Sequence, residues 1–221
     1  LWRCGSPSPI GRERPSLLVR LGAVALVTVF AVLLFQAFLA EPLNFDSNTY
    51  RLTRIGTWLQ DGHLSVFPNN DVRHNYVPCY PDLLMLWVTC FFSTGYPAVN
   101  TIQTISGFVL CMATWELASI LQFRVYAKLA IIAALISFPN VALQLVTSQT
   151  DVIATTLAFS GIALLWHSLQ TRDIRYWSWC GLAFGAAIGA KATVLFLGPG
   201  CLALLLYWAR KRWPLTRLDA Q

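Results

Sequence analysis

Residues 21–40 read LGAVALVTVFAVLLFQAFLA, twenty positions without a charged side chain. A helix of about that length is what crosses the hydrocarbon core of a bilayer. The apolar part of a cleaved signal peptide is shorter, about 7–15 residues. No small-residue cleavage site follows Ala40, so the run predicts a retained membrane helix.

The rest of the composition agrees. Of 221 residues, 56% are hydrophobic and 12% charged, about half the charged share of ordinary soluble domains. Mean hydropathy is +0.56. These values exclude a disordered chain, a collagen-like chain and a soluble domain of this size. The net charge of +6 does not point to nucleic acid, because the cations cluster beside apolar runs, where they report membrane orientation. Cys4, Cys79, Cys90, Cys111, Cys180 and Cys201 form no CxxC pair. That argues against a zinc site, and no metal ligand set is assigned.

Four more apolar segments follow, at 101–121, 129–147, 152–166 and 177–208. The last is too long for one span, and Gly198-Pro199-Gly200 predicts a break within it. The shorter run 83–92 is too brief to cross unaided and predicts a juxtamembrane helix in the outer interface. With the N-terminus inside, the inner segments become 1–20, 122–128, 167–176 and 209–221. They then hold twelve of the sixteen Lys and Arg residues, as the positive-inside rule requires. The expected fold class is all-α: a polytopic transmembrane bundle of about six crossings with a long outer loop, 41–100, carrying juxtamembrane helices. The chain begins with Leu1 and reads as a fragment. It is expected to be the N-terminal part of one transmembrane domain, with an inner tail at 1–20 and the remaining helices at 101–221.

This topology brings Asp46, Asp151 and Lys191 to the outer side, each at the end of a crossing. From Asp46 to Gly62 the sequence predicts a short helix, with Asp46 as N-cap and Gly62 past the C-terminus. Leu52, Ile55 and Leu59 make its apolar stripe, and Arg51, Arg54 and Trp58 a neighbouring face suited to lipid-phosphate head groups. The convergence of Asp46, Asp151 and Lys191 on one side points to a site there. His74 and Tyr50 are secondary candidates in the same loop; His63 is a weaker one. Asp151 also suits helix N-capping, and Lys191 a snorkelling position. Glu116, near the inner end of the second crossing, is expected to snorkel or pair with Arg124. Gly181, Gly185 and Gly189 form a doubled small-xxx-small pattern, which predicts close helix approach.

The Asp after the first crossing, followed by Tyr50-Arg51-Leu52-Thr53-Arg54 and Trp58-Leu59-Gln60, resembles the GT-C type membrane glycosyltransferases. More narrowly it is similar to the protein mannosyltransferase-like group, family 39. Ser148-Gln149-Thr150-Asp151 resembles that family's second outer acidic motif. Gly181-Leu182-Ala183-Phe184-Gly185 with Gly189-Ala190-Lys191 resembles its Gly-rich helix ending in Lys. Two features depart from the pattern: Asp46 is followed by Ser47 rather than a second acid, and no DxD metal motif occurs.

The resemblance implies transfer of a sugar from a polyprenyl-phosphate donor to an acceptor hydroxyl, with inversion at the anomeric carbon. It makes Asp46 the candidate catalytic base, Asp151 a second catalytic candidate that positions the acceptor, and Arg51, Arg54 and Lys191 candidate partners of the lipid phosphate. It implies a hexosyltransferase-type enzyme, multi-pass in a bacterial inner (plasma) membrane with its active face outside. The implied partners are the donor, the bilayer and an acceptor the sequence does not name. No cofactor is required by this reading, and a divalent cation shared by Asp46 and Asp151 stays open. The competing reading is a transporter or lipid-carrier flippase. Transporters usually place ionisable or broken-helix sites near mid-membrane, whereas these acids gather at the outer helix ends.

Overall fold

A computed structural model of the chain describes residues 16–42, 44–68, 70–92, 96–171 and 173–212. Among them are helices and their connections, and no strand. Helix α1, Leu17–Leu39, is followed by a π-helical turn, Ser47–Arg51, that runs into α2, Leu52–Asp61. Two short helices, α3 (Arg73–Tyr76) and α5 (Tyr96–Val99), flank α4, Tyr80–Phe91. Then come α6 (Thr101–Ile120), α7 (Val125–Ser137), α8 (Pro139–Gln144), α9 (Asp151–Thr171) and α10 (Ile174–Ala190). A 3₁₀ segment, Ala192–Leu197, leads into α11, Gly198–Arg212.

Helix directions follow from named contacts. In α6 and α9, Gln103 Oε1 accepts the Ile153 N–H at 3.1 Å and Thr156 Oγ1 donates to Ser106 O at 2.8 Å. Farther along, His167 Nε2 lies 2.8 Å from Glu116 Oε1. The near-constant offset of 50 to 51 residues makes α6 and α9 parallel. Helix α10 runs antiparallel to α9, with Lys191 on Asp151 at one end and Cys180 Sγ 3.5 Å from Gly161 O midway. Helix α1 runs antiparallel to α6: Asn100 Nδ2 donates to Ala40 O at 2.8 Å, and Phe30 stacks edge-on against Phe108. One end of the bundle therefore collects Ala40, Asn100, Asp151 and Lys191, and the other collects Glu116, His167 and Lys128. Ile55, Met85, Val99 and Ile153 pack together under the first end, and Phe30, Leu110, Ile132 and Leu145 nearer the middle.

Leu17–Leu39 and Asp151–Thr171 are the two described helices long and apolar enough to cross a membrane. At 23 residues and about 1.5 Å per residue, α1 exceeds the roughly 30 Å hydrocarbon core. Its Leu18, Val24, Val27 and Phe35 are exposed, as lipid-facing side chains are. Helix α6 is as long as a span but carries Gln103, Thr104 and Thr114, which turn inward and are buried.

Several expectations need correction. Segment 129–147 is not one helix, because Pro139 breaks it. Phe138 is extended, at φ −65° and ψ 122°, since the ring of a following proline disfavours the helical conformation. In 177–208 the break falls at Lys191, which is extended at φ −156° and ψ 117°. Gly198-Pro199-Gly200 instead starts α11, where a proline N–H would have had no helical partner anyway. Asp46 is not the cap of the first-loop helix. Asn44 takes that place, its Oδ1 accepting the Ser47 N–H at 2.8 Å. Gly62 does end α2 in the left-handed region, at φ 70°. Leu59 is exposed, and the buried face of α2 holds Leu52, Arg54, Ile55 and Trp58.

The small-residue stripe of α10 departs from expectation at two of its three positions. A Cβ at Gly181 or Gly185 would meet nothing within 4 Å, whereas one at Gly189 would lie 3.4 Å from the Tyr80 Cβ of α4; in α9, a Cβ at Gly161 would lie 3.1 Å from the Phe184 ring. The face of α10 that packs carries Cys180, Ala183, Ala187 and Ala190. Glu116 pairs with His167 rather than Arg124, and the His167 ring stacks on Tyr176. The cations at Arg3, Arg12, Arg14, Arg172 and Arg217 and most of the inner tail 1–20 lie outside the described residues, as does Cys4.

Candidate active site

The first acidic candidate sits where the chain turns from α1 into the outer loop. Asp46 occupies the turn capped by Asn44, and its side chain is 44% exposed. Arg73 Nη1 approaches its Oδ1 at 3.9 Å. Arg73 is in turn held by Asp71, with Nη2 donating to Oδ2 at 2.6 Å, and its guanidinium lies over the rings of Phe45 and Tyr50. The hydrogen bond from Arg73 holds the Asp71 carboxyl below the usual carboxylate range. Asp46 thus combines solvent access with a neighbouring cation.

Behind Asp46 lies a buried charge cluster. Arg51 Nη1 donates to Asp82 Oδ1 at 2.9 Å, and Arg54 Nη1 donates to Asp82 Oδ2 at 2.7 Å. Arg51, Arg54 and Asp82 are 5%, 1% and 0% exposed. Burial pushes the Asp82 carboxyl up, and the two guanidinium groups pull it back. Arg51 and Arg54 are three residues apart in one helical run, so their side chains share a face and converge on one carboxylate. Arg51 Nη2 also donates to Tyr50 Oη at 3.1 Å and to Thr150 Oγ1 at 3.0 Å. Burial raises the Tyr50 phenol above its ordinary value, with Arg51 opposing the shift. The two arginines are therefore not exposed cations facing lipid. Their charge is already directed at Asp82.

The second acidic candidate opens α9. Lys191 Nζ makes a close ion pair with Asp151 Oδ1, and Gln144 Nε2 donates to the other carboxylate oxygen at 3.0 Å. Asp151 and Lys191 line a cavity of about 350 Å³. Its remaining walls are chiefly apolar, with Ala154, Ala158, Phe159, Val194 and Leu197. A slot with one charged end and apolar sides fits a ligand that is ionic at its head and hydrocarbon along its body.

The two acidic segments meet directly. Ser47 Oγ and Ser148 Oγ lie 2.5 Å apart, and Arg51 reaches Thr150, the residue before Asp151. Asp46 and Asp151 thus stand at one end of the bundle, each beside a residue that bridges the two loops. Asp46 is not among the residues lining the Asp151–Lys191 cavity. A cation shared by both acids does not fit this arrangement. The Asp151 oxygens already face Lys191 and Gln144, and among the described residues no three His, Cys, Asp or Glu side chains converge.

His74 is buried, with Nδ1 3.0 Å from Asp71 O, and its Nε2 has no hydrogen-bond partner among the described residues. His63 is exposed, with its Nδ1 2.9 Å from Asp61 O in its local turn. Asp82 was not singled out from the sequence. One signal was available: two arginines at i and i+3 beside an apolar stripe need a common anion once buried.

The family model described as dolichyl-phosphate-mannose-protein mannosyltransferase matches residues 77–218. No curated protein matches the chain, and no solved structure does.

Proposed function

Because the chain belongs to the dolichyl-phosphate-mannose-protein mannosyltransferase family, a family of membrane glycosyltransferases that use polyprenyl-phosphate sugar donors, we propose that it transfers a sugar from such a donor to an acceptor hydroxyl at the outer face of the membrane. The carrying observation is the pairing of Asp151 and Lys191 at the head of an apolar-walled cavity, beside the segment that meets Ser47 and Arg51. The reading takes six crossings, with the end that holds Asp46, Asp151 and Lys191 outside, on the distribution of Lys and Arg along the sequence.

In this reading the donor's phosphate faces Lys191 and its hydrocarbon chain follows the apolar walls toward lipid. The acceptor oxygen attacks the anomeric carbon from the side opposite the phosphate, which inverts that centre. Asp46 takes the hydroxyl proton as the new bond forms. The bond from the anomeric carbon to the phosphate oxygen breaks, and its electron pair leaves with the lipid phosphate. Lys191 offsets the charge on that leaving group. Asp151 orients Lys191 in the resting state and positions the acceptor. Arg51 and Arg54 act from behind, through Asp82, rather than on the phosphate.

The test is sugar transfer from a polyprenyl-phosphate sugar by membranes carrying the protein and its Asp46→Asn variant. Asn44 supplies the cap, so Asn at position 46 leaves the fold in place. Loss of a general base typically costs about 100- to 10,000-fold in rate. Wild-type turnover by well-folded Asp46→Asn removes Asp46 as the base.

A further inference from the structure

The buried carboxylate of Asp82 stands behind both acidic candidates and touches neither. We propose that Asp82 is a positioning residue of the transfer site, whose carboxylate fixes Arg51 and Arg54 in the poses that hold the Asp46 and Asp151 segments in register; its catalytic meaning rests on the function proposed above.

The geometry runs in two directions from one carboxylate. Through Oδ1, Asp82 holds Arg51, whose other amino group donates to Thr150, the residue before Asp151. Through Oδ2, it holds Arg54, whose other amino group donates to the Arg73 carbonyl at 2.8 Å. Arg73 is the residue whose guanidinium approaches Asp46. Each candidate acid is thus one short relay from Asp82. The relay links parts of the chain distant in sequence, with Asp82 and Arg51 separated by 31 positions and Arg51 and Thr150 by 99. A carboxylate shared by two guanidiniums has defined orientation as well as charge, because each planar fork fixes the lone pair it uses.

Stability alone is a poor account of this cluster. Apolar residues of the same volume often pack as stably as a buried ion pair, or more so. What the charges add is direction: a neutral side chain at position 82 would leave both guanidiniums buried with no common anion. They would then reorient toward other acceptors and release Thr150 and Arg73. The Ser47–Ser148 contact sits between the two relays and reports their spacing.

The experiment reads that spacing without relying on sugar transfer. In the protein with Cys4, Cys79 and Cys90 replaced by Ser, Ser47→Cys and Ser148→Cys are introduced together. Disulfide formation between them is timed in membranes under mild oxidant. Oxygens 2.5 Å apart put the replacing sulfurs within bonding reach, so rapid closure is expected. Adding Asp82→Asn should slow closure at least tenfold in folded protein. If Asp82→Asn does not fold, Thr150→Val carries the test, since it removes the far contact of Arg51 and leaves every buried charge in place. Thr150→Val should slow closure in the same direction. Where the double variant folds, it should be no slower than Asp82→Asn alone, because both act on one relay. An unchanged rate in either folded variant, or additive slowing in the double variant, overturns the proposal.

Turnover gives a second readout in the protein with its native serines and cysteines. Asp82→Asn should lower kcat by about 10- to 100-fold, the scale of a misplacement near 1 Å, with donor KM within twofold of wild type. A raised KM with unchanged kcat also overturns it. Rapid closure in the Ser47→Cys, Ser148→Cys protein together with no sugar transfer by the wild type counts against the functional reading and leaves the spacing role of Asp82 to the closure rates.

Discussion

The hydroxyls of Ser47 and Ser148 lie 2.5 Å apart across 101 residues of chain. That contact joins the turn after α1 to the turn before α9, at the end of the bundle where the helix directions bring together two acids far apart in sequence. The functional consequences start from it.

Lys191→Met should raise the donor KM by about tenfold or more. A hydrogen bond to a charged group contributes roughly 1.5–3 kcal/mol, and the phosphate is present in the ground state, so binding weakens first. Steady-state kinetics over a range of donor concentrations reads this. An unchanged KM would remove Lys191 from the phosphate contact.

Packing of α10 yields a comparison of four variants. Gly161→Leu should lose folded yield, because even a Cβ at that position presses on the Phe184 ring. Ala183→Leu should also be damaging, since Ala183 is buried and overpacking costs about 1–3 kcal/mol. Gly181→Leu and Gly185→Leu should be tolerated, as both face open space. Thermal melting in detergent ranks them, and a Gly185→Leu variant as damaged as Ala183→Leu would contradict the packing described.

Topology can be read by single-cysteine labelling in a cysteine-free background. A thiol replacing the exposed His63 should react with a membrane-impermeant reagent in intact cells. One replacing the exposed Arg124 should react only after the membrane is opened. Strong labelling at 124 in intact cells reverses the assigned orientation and places the candidate site on the inner face.

Acid should loosen the turn that carries Arg73. The Asp71 pKa is lowered by its hydrogen bonds to Arg73. Its stabilisation is therefore present above the ordinary Asp range and lost as pH falls through the depressed folded-state value. Hydrogen exchange at amides 73–77, corrected for intrinsic rates, should speed up in acid. Asp71→Asn should show the faster exchange already at neutral pH and little further change in acid.

The sequence carried the helices best where apolar runs were unbroken. α1, α4, α6 and α9 fall close to their expected ranges because hydrophobic length is a local property. The breaks were harder. Pro139 ends a helix by acting on Phe138, whereas Gly198-Pro199-Gly200 accommodates a helix start, and the two uses of proline differ only in what precedes them. Lys191 ends α10 without a proline nearby. Asp82 was missed because its role depends on Arg51 and Arg54 being buried against α4, a long-range fact; the i, i+3 arginine pair signals that an anion is needed but not which one. The α10 glycines followed a pattern that marks close packing in many membrane helices, yet Gly181 and Gly185 face open space, Gly189 meets Tyr80 of α4, and the alanine face meets α9.

The parallel alignment of α6 and α9 bears on how the molecule is made. Gln103 is fully buried, and its carbonyl accepts from the Ile153 amide 50 residues downstream. At about 5–20 residues per second of synthesis, α6 precedes that partner from the ribosome by roughly 3–10 s. During this interval the Gln103 carbonyl lacks the partner it has in the finished fold, and a buried acceptor left unpaired is costly. Completion of the buried polar seam is thus timed by arrival of α9, and a chain halted before Ile153 would leave α6 with an unmatched acceptor.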